Sequence, residues 1–138
     1  MEFTTAAAAE EAFYQAFSRS SHEELMAVWA KSADVVCIHP LGPRHVGFES
    51  VSESWAQILG ADEPRNFECR MVSRWSAADT AIHVVDEIIS IPGNNDKFAP
   101  VLATNVYRRQ AGNWLLVMHH ASIDARRTVA PTGGQTRH

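Results

Sequence analysis

VLATNVYRRQAGNWLLVMHHAS, residues 101–122, reads as two β-strands joined by a turn. Branched and aromatic residues fill both arms, and Gln110-Ala111-Gly112-Asn113 supplies turn material between them. The first arm begins at Phe98, behind the turn Pro92-Gly93-Asn94-Asn95-Asp96, and the second ends at Ile123. Two further strands precede them, Asn66 to Ser76 and Thr80 to Ile91, joined through Ala77-Ala78-Asp79. The C-terminal half is therefore a four-stranded meander.

The N-terminal half has the helical period instead. Residues 4–20 form a helix capped by Thr4 or Thr5, with Ala9, Phe13, Ala16 and Phe17 on one stripe. His22 to Lys31 makes a second, shorter helix, in which Leu25, Met26 and Trp29 share a face; Ser21 and Glu24 match a capping box. Val35 to His39 is a β-type run stopped by Pro40, and His45-Val46-Gly47 is a short return strand. Phe48 to Gly60 is a third helix, striped by Val51, Trp55, Ile58 and Leu59. Helices segregated from a meander predict an α+β fold. One domain is expected over residues 1–123, followed by a flexible tail over 124–138 that has no apolar period.

Composition narrows the function classes. A chain of 138 residues with 46% hydrophobic and 20% charged residues can bury a sizeable core as one domain. The net charge of −4 includes no basic stripe, which disfavours nucleic-acid binding. No apolar run approaches the ~20 residues needed to span a bilayer. MEFTTAAAAEEAF lacks the basic start of a signal peptide, and two cysteines make no disulfide framework. A cytoplasmic location is expected.

The helix carrying Phe13 and Phe17, then LMAVWA, VVCIHPLGPRHVG, SVSESW, VLATNVYRR and WLLVMHHAS, in that order, resembles the polyketide-cyclase-like (SnoaL-type) and ketosteroid-isomerase-like branches of the nuclear transport factor 2-like superfamily. The similarity covers roughly residues 8–123. It implies a cone: N-terminal helices packed on a strongly bent antiparallel sheet that encloses a pocket, with the last strand beside the first. It also implies a homodimer formed through the sheet, and a small apolar molecule as the ligand.

Carried over position by position, the isomerase branch's carboxylate base falls on His39, its protonated acid on Asn105 and its tyrosine on Phe13, with Tyr14 one residue out of phase. The signature groups are replaced, yet histidine is a competent base near neutral pH and an asparagine can donate to a developing oxyanion. Successive strand residues face opposite sides, so one of His119 and His120 points into the cone, and alignment parity favours His120. The same parity puts Asp86 inside with Ile82, Val84 and Ile88, unless a bulge exchanges it for Glu87. An inward carboxyl in a dry pocket would have a raised pKa; alternatively it pairs with Arg108 or Arg70 at the surface. The candidate catalytic residues are thus His39, Asn105, His120 and Asp86, and the candidate ligand-lining residues are Phe13, Phe17, Trp29, Trp55, Tyr107 and Met118. Each has a purely structural reading as well, as core aromatics or turn-binding polar groups. The chain holds no H-E-x-x-H, no paired C-x-x-C and no phosphate loop, so neither a metal nor a cofactor is expected.

Two function classes follow. One is a small enzyme that moves a proton or adds water on an apolar, ring-bearing substrate. The other is a non-catalytic module that binds a metabolite or dimerises.

Overall fold

In the computed structural model, which describes residues 2–60, 65–90 and 100–124, the first helix starts where Thr5 accepts the Ala8 N–H at 3.0 Å. This helix, α1 (Ala6–Ser18), is followed by α2 (His22–Met26), β1 (Val36–Ile38), β2 (Arg44–Val46), α3 (Phe48–Leu59), β3 (Asn66–Ser76), β4 (Thr80–Ser90), β5 (Val101–Gln110) and β6 (Asn113–Ile123). Ser21 caps α2 by accepting the Glu24 N–H, but the Glu24 carboxylate turns out to Arg19 at 2.7 Å instead of closing the box. α2 is shorter than its apolar stripe predicts. It stops at Met26 because the chain then bridges to β6: Leu116 donates to the Val28 carbonyl and Ala30 to that of Leu116, which seats Trp29 at the sheet rather than on a helix.

The strands form one six-stranded sheet in the order β2-β1-β6-β5-β4-β3. The expected adjacency of first and last strands is present, and it is parallel, so the sheet is mixed rather than wholly antiparallel. All other neighbours run antiparallel. Register shifts at Met71/Ser73 and Val106/Tyr107 add local twist, and the sheet curls without closing. The β5–β6 hairpin turns on two residues of positive φ, Ala111 at 52° and Gly112 at 80°, the backbone of a type I′ turn. The strand turn at Pro92–Asp96 and residues 125–138 of the expected tail lie outside the described residues; Asp124, the first residue assigned to that tail, is buried.

All three helices lie on the concave side. Ala81, Ala103 and Ala121 keep that face of the sheet shallow, and Phe13, Leu25, Val51 and Trp55 press into it from the helices, each fully buried. Phe13 meets Trp55 edge-on at 5.5 Å between centroids and Phe17 meets it at 4.9 Å.

Candidate functional site

On the concave face the residues of odd number in β4 point inward: His83, Val85 and Glu87. Across the sheet, Asn105 of β5 sits opposite His83, Tyr107 sits opposite Ala81, and His119 of β6 sits opposite Asn105. From α1, Glu10 and Tyr14 come down onto this patch one helical turn apart, a spacing that puts both on the same face. Seven polar side chains thus share a buried region that receives no lysine or arginine ion pair among the described residues.

Their hydrogen bonds have a fixed direction. Asn105 Nδ2 donates to Tyr14 Oη at 3.0 Å and to Glu10 Oε2 at 3.2 Å. That spends both amide protons and leaves Oδ1 as an acceptor, so His119 Nδ1, 2.7 Å away, carries the hydrogen. Tyr14 passes its own hydroxyl proton on to Glu87 Oε2 at 2.7 Å, and Tyr107 donates to Glu10 Oε2 at 3.0 Å. Glu10 Oε1 is left with His83 Nδ1 at 3.2 Å, a contact that is not aligned as a hydrogen bond.

Burial dominates the electrostatics. It raises the Glu87 carboxyl to about 7, opposed by the Tyr14 hydrogen bond and reinforced by the neighbouring Glu10 charge. It lowers His119 to about 3, so the 3.9 Å approach of His119 Nε2 to Glu87 Oε2 is a neutral ring beside a carboxyl, not an ion pair. The Tyr14 phenol is pushed well above its usual 10, first by burial and then by Glu87, and stays protonated.

His39 lies in a separate corner. Its Nε2 is 3.0 Å from Ser54 Oγ, whose hydroxyl already donates to the Val51 carbonyl, so His39 donates from Nε2 and keeps its lone pair on Nδ1. Burial and then His45 lower it to about 4. Cys37 sits beside it, with Sγ 3.7 Å from Nε2, and burial pushes this thiol up to about 12, which leaves it unreactive. The Trp55 ring separates the two corners, 4.6 Å from His39 and 5.7 Å from His119 between centroids.

The solvent-facing part of the site is a groove of about 450 Å³ between α1 and the start of β3, walled by Ala7, Glu10, Glu11, Tyr14, Phe67 and Cys69, among others. A second groove of about 310 Å³, which Ala7 also borders, is lined by Arg74, Trp75, Ala81 and His83, among others.

Against the sequence expectations, two inward assignments are reversed. His120 is exposed on the convex face and His119 points inside; Asp86 lies half-buried on the convex face and Glu87 points inside. The parity argument failed because it took the aliphatic side of β4 for the core side. Ile82, Val84 and Ile88 are on the convex face, which no helix of the described residues covers, while the helices meet Ala81, His83, Val85 and Glu87. Met118 is on the convex face for the same reason, in register with Val106. The expected cluster of His39, Asn105 and His120 therefore does not converge. Asn105 and Tyr107 stand in the buried network; Phe13, Phe17 and Trp55 pack together beside it, and Trp29 is buried next to β6. Arg108 pairs with Asp34 at 3.0 Å rather than with either acid of β4. Glu10, Tyr14, His83, Glu87 and His119 were missed or passed over. Their signal was the placing of polar residues at even spacing within strands, His83 with Glu87 and Asn105 with Tyr107. Among the described residues, no group of three His, Cys, Asp or Glu side chains is arranged to hold a metal.

A family model for the SnoaL-like domain matches residues 6–126. A solved structure from Thiobacillus denitrificans, named for a calcium/calmodulin-dependent protein kinase type II association domain, is 40% identical; the match covers 90% of this chain and 98% of that one, with a TM-score of 0.87. Another from Streptomyces avermitilis, named for a dehydratase of the NTF2-like family, is 33% identical over 86% of this chain and 92% of that one, with a TM-score of 0.74. The F-box protein SKIP8 of Arabidopsis thaliana is 28% identical over 96 residues, 70% of this chain but only 39% of that protein. With the curled sheet, the helices on its concave side and a family match over most of its length, the chain belongs to the SnoaL-like domain family of the NTF2-like superfamily.

Proposed function

We propose that the chain is a small-molecule acid–base enzyme whose substrate lies in the groove along α1 and whose proton-transfer pair is Tyr14 and Glu87. The observation that carries this reading is a carboxyl with a pKa of about 7, buried without a cation partner among the described residues and hydrogen-bonded at 2.7 Å to a tyrosine of the groove wall. A carbon acid seated against Tyr14 gives its proton to Oη as the phenolic proton passes to Glu87 Oε2. The electron pair stays on the substrate as an enolate. The reverse transfer returns the proton to another substrate atom, or to a departing hydroxyl that leaves as water. Asn105 Nδ2, donating to Oη, stabilises negative charge there as it builds. The likeness to a protein named for a dehydratase supports this class of reaction.

The test is deuterium uptake from D2O by small cyclic β-hydroxy ketones, read by proton NMR. The folded protein should catalyse exchange, and Glu87→Gln should slow it by about 10²–10⁴-fold, the usual contribution of a positioned acid–base group. Equal exchange by the variant would refute the assignment.

A second reading concerns assembly, and a specific feature favours it. The convex face carries Ile82, Val84, Ile88, Leu102, Val106 and Met118 with no helix of the described residues over them. We infer that a second copy of the chain covers this face, in keeping with the likeness to a protein named for an association domain. Light scattering should report a dimer, and Val84→Arg with Met118→Arg a monomer; a monomeric unaltered protein would dispose of the idea.

A further inference from the structure

Glu10 is the group at which the buried network and the groove meet. Its side chain is 9% exposed, and Oε2 accepts from both Asn105 and Tyr107 while Oε1 has no aligned donor. Beside Oε1, His83 Nδ1 is buried and has no hydrogen-bond partner among the described residues, and its in-plane direction misses the carboxyl 3.2 Å away. A buried polar atom is seldom left so, because it keeps the full penalty of its lost water. Glu10 lines the larger groove and His83 the smaller, and Ala7 borders both.

The local charge points one way. Glu10 and Glu11 line the larger groove and Glu87 lies behind it. Arg74, which lines the smaller groove, is exposed and makes no ion pair with Glu10; Arg65, whose carbonyl accepts from Ser18, has its guanidinium 5.7 Å over the Phe17 ring. The remaining walls combine Ala7, Phe67 and the Cys69 thiol, which burial holds protonated by raising it to about 12, with the uncharged polar side chains of Tyr14, Gln15 and Ser18. The groove thus offers a carboxylate oxygen with no aligned donor among the described residues, beside the apolar surface of Ala7 and Phe67.

We propose that the molecule bound here is a primary amine in its ammonium form, its N–H groups donating to Glu10 Oε1 and His83 Nδ1 and its apolar body lying along Phe67 and Cys69 towards Tyr14. An ammonium supplies several donors from one atom, which suits two acceptors of different direction, and its charge answers the carboxylates that no arginine or lysine of the described chain meets. This assignment rests on the groove being the substrate site and specifies what the site selects.

The experiment titrates the whole protein at pH 7.5 with three probes of one shape, 2-phenylethylammonium, 2-phenylethanol and 3-phenylpropionate, following backbone amides by ¹H–¹⁵N NMR. The ammonium should shift the amides of Ala7, Glu10 and Cys69 and bind about tenfold or more tightly than the alcohol, as charge-assisted hydrogen bonds do. Glu10→Gln, which keeps an acceptor for Asn105 and Tyr107, should abolish that preference. If the alcohol binds the groove as tightly as the ammonium, the amine assignment falls and the groove stands as the substrate site. If none of the probes moves these amides, both fall. The comparison among probes on the unaltered protein decides the matter even where Glu10→Gln folds poorly.

Discussion

Replacing Glu87 with glutamine removes one ionisable group from the core and retains its shape and its acceptor for Tyr14. In the folded chain the Glu87 carboxyl titrates near 7 against a usual 4.5. Between these values the unfolded chain has released the proton and the folded chain still holds it, so stability must fall as pH rises. The contribution is fully present below pH 4.5 and has been lost once pH passes about 7. A shift of this size, at about 1.4 kcal/mol per pH unit, corresponds to roughly 3 kcal/mol. His39 and His119 act in the opposite sense: their pKa values are depressed to about 4 and about 3, so their contribution is present above 6.5 and is lost as pH falls through those lower values. The raw stability profile therefore mixes both trends, and the difference between variant and parent isolates Glu87. Urea unfolding of both proteins from pH 4 to 8.5 should show the Glu87→Gln protein gaining on its parent by about 3 kcal/mol across this window and by nothing further above it. A flat difference, or one of opposite slope, would show that Glu87 enters the folded state already ionised and would remove it from the proton-transfer pair.

Tyr14→Phe deletes the hydrogen bond that lowers the Glu87 pKa, so carbon-13 NMR of labelled glutamate should find Glu87 titrating higher than in the parent. The same variant strips Asn105 of an acceptor and should cost about 1–3 kcal/mol in denaturant unfolding. Trp55→Ala empties a fully buried site that Phe13, Phe17, His39 and His119 all touch; a loss of about 3–5 kcal/mol is expected. A loss below about 1 kcal/mol would mean these rings close over the space, against the rigid packing described.

The fold was legible because helical and strand periods are properties of neighbouring residues. Phe13 with Phe17 and Val51 with Trp55 declared their faces, and Gly112 marked the last hairpin. The site was legible only in part. Asn105 and Tyr107 were picked out, but through a resemblance that supplied positions, not through pattern. His120 and Asp86 were chosen over His119 and Glu87 because alternation states which residues share a face and is silent on which face meets the helices. The usual tie-breaker, that the aliphatic side is the inner one, fails where the outer side is aliphatic and the inner side carries polar groups. Glu10 looked like an ordinary acid in the first half of a helix; only its descent onto Asn105 and Tyr107, 95 and 97 residues away in the chain, gives it a role.

Because both faces of β4 are apolar enough to be buried, hydrophobicity distinguishes weakly between its two possible settings against β5. Sliding the strand by one residue would present Ile82, Val84 and Ile88 to the helices with little loss of greasy contact. What forbids the slide is Glu87, which would lose Tyr14, and His83, whose ring would leave that of Tyr107. The polar groups of the interior therefore act as the index marks of the sheet, fixing one alignment among several of comparable stickiness. A chain in which Glu87, Asn105 and His119 were all replaced by aliphatic residues would still collapse into helices and strands, but as a mixture of misaligned sheets.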